Sequence, residues 1–308
     1  MSPDVIECTT RPEWLQRRRD FLQSTDSAAI LGVGYDGTSE HTVWYDKIHG
    51  GDDPEVAKRL QIGKLIEPSL REIFTLETEL PCEPAGEFSI YRHPEISYIG
   101  ATLDAWTEDP QFGRVPVELK NVDQFLAGDW GGNEPPLKFT VQVQHQMLAT
   151  GTNCAYVFAL IGGNSPVSIR VERHQDFING LMMKLADFWG YVQRRECPPA
   201  DETAAASRVL AKLYPHDSGE TVDLPAELGE THFNLKRAKG TIADAERVKS
   251  YCENQIKEAI GGATWGRIPG VNGYYSWKRQ SRVVRCPHCD EITSEAEFRV
   301  LRKCKRNR

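Results

Sequence analysis

Glu118 and Lys120 stand two residues apart in "VPVELKNV" (115–122), where Val115, Val117 and Val122 favour a strand. A strand alternates its side chains, so both charges fall on one face of a sheet. Upstream, "ATLDAWTED" predicts another strand, with Leu103 and Ala105 on one side and Thr102 and Asp104 on the other. A turn around 109–113 would pair the two strands antiparallel and set Asp104 against Glu118, with Cβ atoms about 5 Å apart. Two carboxylates and an ammonium on one patch of sheet are costly unless something binds there. A divalent cation relieves the repulsion between the acids. Oxygen donors without His or Cys favour Mg2+ or Mn2+ over Zn2+, and the carbonyl of Leu119 offers one more oxygen. Lys120 would then stand beside a metal-bound water or a phosphate oxygen gaining charge. The plain alternative is an exposed cross-strand ion pair worth under about 1 kcal/mol.

The rest of the chain must build the sheet that positions these groups. At 308 residues it can bury one large core, or one domain with a smaller appendage. Hydrophobic content of 40% and charged content of 26% are ordinary for a globular protein. The longest apolar run, Cys154 to Ile161, is far too short to cross a bilayer, so no membrane partner is expected. "MSPDVIECTTRPEW" lacks the features of a secretory leader. Eight scattered cysteines read as reduced thiols, and a bacterial or phage-infected host cytoplasm is the expected location. A net charge of −7 argues mildly against a simple electrostatic nucleic-acid binder, though not against an enzyme with one basic channel.

Thr10-Arg11-Pro12-Glu13 has capping-box spacing and opens a helix through Arg19. "STDSAAILG" and "TSEHTVWYDKIHG" predict two more short helices. Asp53-Pro54 begins a longer one to about Glu79, with Leu60, Leu70, Ile73, Phe74 and Leu76 as its apolar stripe and Pro68 as a kink. Then the period changes to two. "GEFSIYRHP", "SYIGATLDAWTED" and "RVPVELKNV" predict three consecutive antiparallel strands. "LKFTVQVQHQMLATG" is helical, "CAYVFALIGG" and "SPVSIRVER" are strands, and "DFINGLMMKLADFWGYVQRR" is an amphipathic helix. The order implies an α/β (α+β) fold with a mixed sheet flanked by helices. An acidic, Pro- and Ala-rich stretch suggests divisions at 1–197, 198–285 (helices near 203–214 and 235–260, then a Gly-rich hairpin) and 286–308 (a basic tail).

The pattern D-x(13)-E-x-K across a strand-turn-strand unit resembles the PD-(D/E)-x-K nuclease superfamily, with its restriction-endonuclease-like core. "WLQRRRDFLQSTDSAAILG", "LQIGKLIEPSLREIF", "GATLDAW", "VELKNV" and "FTVQVQHQMLATG" more closely resemble, in order, the motifs of phage lambda-type exonucleases, also called YqaJ-type viral recombinases. The likeness runs over about residues 13 to 195. It implies a Mg2+-dependent 5′→3′ DNA exonuclease acting on 5′-phosphorylated ends of linear duplex and leaving 3′ overhangs for a single-strand annealing recombinase. It also implies a homo-oligomeric ring. Asp104, Glu118 and the Leu119 carbonyl match the metal ligands, Glu67 the helical acid that completes them, Lys120 the catalytic lysine, and Gln142 the glutamine of the next helix. Gln144 ranks lower, because it faces elsewhere on that helix. His145, which the pattern does not require, reads as structural. Arg18, Thr25 and Thr102 match the group that captures the 5′-phosphate, although Arg17 and Arg19 leave the register open by one. Rival readings are a RecB-like, CRISPR-associated or restriction-type nuclease, or a non-catalytic DNA-binding protein on the same fold.

Beyond the core the likeness thins. Lys278 in "SWK" reads either as a DNA contact or as part of a structural hairpin. "CPHC" at 286–289 is half of a zinc site, with Cys304 available to join Cys286 and Cys289. A ligand-free tail is the competing reading, and an iron–sulfur cluster using Cys8 or Cys82 as the fourth ligand is a third.

Overall fold

The computed structural model describes residues 3–50, 54–285 and 292–304. The alternating and apolar runs make a five-stranded sheet in the order β2–β5–β6–β7–β8. Its strands are β2 (Cys82–Pro84), β5 (Ala105–Asp109), β6 (Gly113–Val122), β7 (Cys154–Ile161) and β8 (Ser165–Glu172). β6 runs antiparallel to β5 and parallel to β7, so the sheet is mixed. β7 is apolar throughout because both of its faces are covered. Cys154, Tyr156 and Phe158 pack under Leu70 and Phe74 of α4 (Pro54–Thr78). Ala155, Val157 and Ala159 pack under Val143 and Met147 of α5 (Leu137–Thr150).

α4 runs through Pro68 without a break. Leu76, expected in its apolar stripe, is 82% exposed, because helical spacing carries it off the Leu70–Phe74 face.

A second sheet joins β1 (Asp4–Glu7), β3 (Ser89–Arg92) and β4 (Gly100–Ala101). This corrects the reading of "SYIGATLDAWTED" as one strand. β4 pairs with β3, whereas β5 pairs with β6 and β2, so the chain changes sheets across Thr102–Asp104. The expected juxtaposition survives the break. Ala105 is opposite Val117, and one step outward along that register brings Asp104 to Glu118.

The helical side is built from α1 (Arg11–Arg17), a 3-10 turn at Arg18–Asp20, α2 (Ser24–Ile30), α3 (Glu40–His49) and α6 (Gln175–Arg194). Leu22 lies in a parallel bridge with Ile99, which sets the start of α2 beside the segment entering Thr102.

The chain divides into compact units at Met1–Asp217 and Ser218–Arg308, not at 197. α7 (Ala204–Leu213) packs on α3 and so belongs to the first unit. Arg208 also donates to the Gly37 carbonyl at 3.0 Å. The second unit holds α8 (Leu228–Ile260) and a sheet in the order β11–β10–β9: β9 (Trp265–Gly266), β10 (Tyr274–Arg285) and β11 (Ile292–Cys304). The expected basic tail therefore supplies, through its described residues, the full-length partner of β10. The Gly-rich stretch before β10 contributes only the short β9 pairing.

Candidate active site

Glu118 sits on β6, 5% exposed, and both of its carboxylate oxygens are engaged. Oε1 accepts from the Lys120 ammonium, the same-face neighbour that strand alternation requires. Oε2 accepts from the side-chain amide of Gln146 on α5. Asp104 accepts the backbone N–H of Leu119 at 2.8 Å. Burial, and then the Glu118 carboxylate facing it, push the Asp104 carboxyl up to about 7, against the pull of Lys120 and the Leu119 N–H. Burial acts against the Lys120 ammonium, but Glu118 and the other negative groups around it prevail and tighten its hold on the proton. The Phe139 ring of α5 lies 5.4 Å from that ammonium.

Glu67 comes from α4, one turn before Arg71, whose guanidinium it accepts at 2.9 Å. Burial raises the Glu67 carboxyl, Arg71 opposes this, and the Glu67 charge is in turn felt at Asp104. Gln142 is fully buried, and its amide nitrogen and oxygen have no partner among the described residues. It lies on the α5 face between Phe139 and Gln146, both of which touch the cluster. Among the described residues no three carboxylate, His or Cys side chains are gathered closely enough to hold a metal ion. The donor set nonetheless fits a hard cation: Asp104 and Glu118 offer carboxylate oxygens close enough for the Glu118 charge to be felt at Asp104.

Gln144 is structural: it donates to the Glu172 carbonyl at 2.8 Å and accepts the His174 N–H at 3.0 Å. His145 is buried between Ser27 Oγ (2.6 Å) and the Gly100 carbonyl (2.9 Å), tying α2 to β4. Burial pulls its imidazole down to about 4, so it stays neutral at ordinary pH.

Of the three consecutive arginines, Arg17 pairs with Asp20 at 3.6 Å and Arg19 is exposed. Arg18 turns inward over the Trp14 ring, 4.5 Å from its centre, and feels the charge of Asp26. Thr25 is exposed in the first turn of α2, and Thr102 is partly buried at the crossing between the sheets. The Leu22–Ile99 bridge runs these two segments side by side.

Gln146, Arg71 and Phe139 are contacts that sequence reasoning missed. The signal for Gln146 was present: it stands four residues after Gln142 and so shares its helical face. The Lys278 ammonium lies 4.3 Å over Trp265, while Trp277 is covered by Arg299 at 3.6 Å. Cys286 and Cys289 lie outside the described residues, and Cys304 is a free thiol, so nothing supports zinc there.

Residues 13–153 match the family described as YqaJ-like viral recombinase domain. The uncharacterized protein YqaJ of Bacillus subtilis (strain 168) is 28% identical over 266 residues, covering 84% of this chain and 81% of that protein. Among solved structures, an alkaline exonuclease (LHK-Exo) from Laribacter hongkongensis superimposes with a TM-score of 0.50 at 19% identity. That match covers 66% of this chain and 99% of the other, and it supports the fold.

Proposed function

Because residues 13–153 match the YqaJ-like viral recombinase domain, we propose that the protein is a metal-dependent DNA exonuclease. It resects linear duplex 5′→3′ from 5′-phosphorylated ends and leaves 3′ overhangs for phage-type recombination. The observation that carries this reading is the buried confrontation of Asp104 with Glu118, with Lys120 on the same carboxylate. A folded protein retains such a cluster at a cost in stability, and a bound cation offsets it.

Asp104 and Glu118 would hold Mg2+ or Mn2+, with the Leu119 carbonyl and Glu67 completing the ligands. Such an ion, when bound, polarises the scissile phosphate and lowers the pKa of a water. Lys120 keeps its proton, so its part is that of a fixed positive donor. It orients the attacking water and faces the phosphate oxygens as their charge grows. Gln146 fixes the rotamer of Glu118, and Gln142 offers its free amide to the water or the phosphate. Arg18, with the Thr25 and Thr102 hydroxyls, would take the terminal 5′-phosphate. A guanidinium grips such a group through paired hydrogen bonds. Contacts of this kind position the end without reading sequence. A homo-oligomeric ring and a single-strand annealing partner complete the proposed role.

The test is a linear duplex bearing a 5′-phosphate at one end and a 5′-hydroxyl at the other, incubated with Mg2+. Nucleotide release from the phosphorylated strand end, lost in Lys120→Ala, is the expected result. Cutting of circular DNA, or equal loss from both ends, would move the protein to another nuclease class. No digestion with any divalent metal would leave only a DNA-binding role.

A further inference from the structure

α8 is 33 residues long, about 50 Å at helical rise, and among the described residues Ile260 is its one buried side chain. A helix of that length gains little from propensity alone and normally rests an apolar face on something. Positions seven apart form one apolar series, Leu228, Leu235, Ile242 and Ile256, with Lys249 at the fourth place, while Phe233, Val248 and Tyr251 are exposed off it. Three residues after the last four seam positions come small side chains, Ala238, Ala245, Cys252 and Ala259, and Thr231 follows the first. Leu235 is 53% and Ile242 58% exposed, and Cys252 is exposed as well. A seven-residue repeat alternating large with small is the seam of a helix pair.

The charges beside the seam identify the occupant. Next to the small residues stand His232, Lys239, Glu246 and Glu253, basic in the first half and acidic in the second. Among the described residues neither Lys239 nor Glu246 makes an ion pair, while Glu253 pairs with Lys257 at 3.4 Å within the helix. A second copy of α8 laid antiparallel, with Ile242 against the second copy's Ala245, places Lys239 against Glu246 and His232 against Glu253. The two-fold axis makes each of these contacts twice. The same register sets Leu235 against Cys252 and Lys249 against the small Ala238, past which its ammonium can reach water. A parallel pair would bring the same charges against Asn234, Thr241, Val248 and Gln255, which carry none. Nucleic acid is a poorer occupant, because six Lys or Arg and five Asp or Glu residues are mixed along the helix.

We infer that α8 is a self-association element that pairs antiparallel with α8 of a second copy of this chain, in the register Ile242 to Ala245. The inference does not depend on the nuclease reading.

The test uses the full-length protein. Leu235→Cys, oxidised or treated with a short bis-maleimide, should give a cross-linked dimer whose linked peptides join position 235 to Cys252. Wild type should not link Cys252 to its own copy, since the antiparallel register holds the two thiols about 25 Å apart. Lys239→Glu and Glu246→Lys, each placed in the Leu235→Cys background, should weaken dimer cross-linking by about tenfold in concentration, because each replaces two attractions with repulsions. The combined charge swap should restore it. Absence of the 235–252 link, a Cys252–Cys252 link in wild type, or a charge swap no better than the single changes would each overturn the inference.

Discussion

Asp104 and Asp109 bracket β5, five residues apart, and meet opposite electrostatic fates. Asp109 is 4% exposed and fully partnered. It accepts Tyr156 Oη at 2.7 Å, Arg170 Nε at 2.9 Å, and the N–H groups of Gln111 and Phe112 at 2.8 and 2.9 Å. Burial would raise its carboxyl, but Arg170, Tyr156 and the two N–H groups prevail and hold it at about 2. Asp104 has one N–H donor and another carboxylate in front of it, and is pushed to about 7. The same residue type at the two ends of one strand therefore serves folding at one end and presents an unpaid charge at the other. Acids satisfied by their own protein lock a structure; acids left in conflict with a neighbour mark a place for a ligand.

The contrast can be broken by substitution, and the largest effect belongs to the conflicted end. Lys120→Ala should lower nuclease activity by about a thousandfold, on the scale of losing a transition-state donor. Circular dichroism should show the fold intact. Gln146→Ala should cost about tenfold in kcat with little change in KM, since it loosens the carboxylate that Glu118 presents. At the satisfied end Asp109→Asn should leave the specific activity of folded protein unchanged and cost about 1–2 kcal/mol of stability at pH 8 in urea unfolding. Because the folded Asp109 pKa is depressed, that contribution is present above about pH 4 and lost as pH falls toward 2. Tyr156→Phe removes one of the four donors and should cost about 1 kcal/mol.

The conflicted end was legible because its geometry depends on short sequence spacings. Glu118, Lys120 and Leu119 are fixed by strand alternation, and the turn after β5 fixes the register that brings Asp104 to them. The mixed sheet, both long helices of the core and the Gly151 stop of α5 could be read from period and breakers in the same way. What escaped depends on partners distant in sequence. The break between β4 and β5 is imposed by pairing with β3 and β6 on different sheets, which alternation cannot reveal. The Asp109 network spans 47 and 61 residues to Tyr156 and Arg170. α7 carries no mark that it folds back on α3, so composition alone put the division too early. Its acidic, Pro-rich approach looked like a linker but is pinned by the His41–Asp201 contact at 3.4 Å.

Asp104→Asn tests the central contrast most directly. In metal-free protein, wild-type Asp104 favours the fold fully only below about pH 4 and loses that contribution as pH rises through about 7. The amide should therefore raise Tm at pH 8, with the gain shrinking toward pH 4, while Mg2+-dependent digestion of linear duplex disappears. A variant that digests DNA at the wild-type rate, or that melts lower at pH 8 as Asp109→Asn should, would contradict the assignment of Asp104 to the chemistry rather than to the fold.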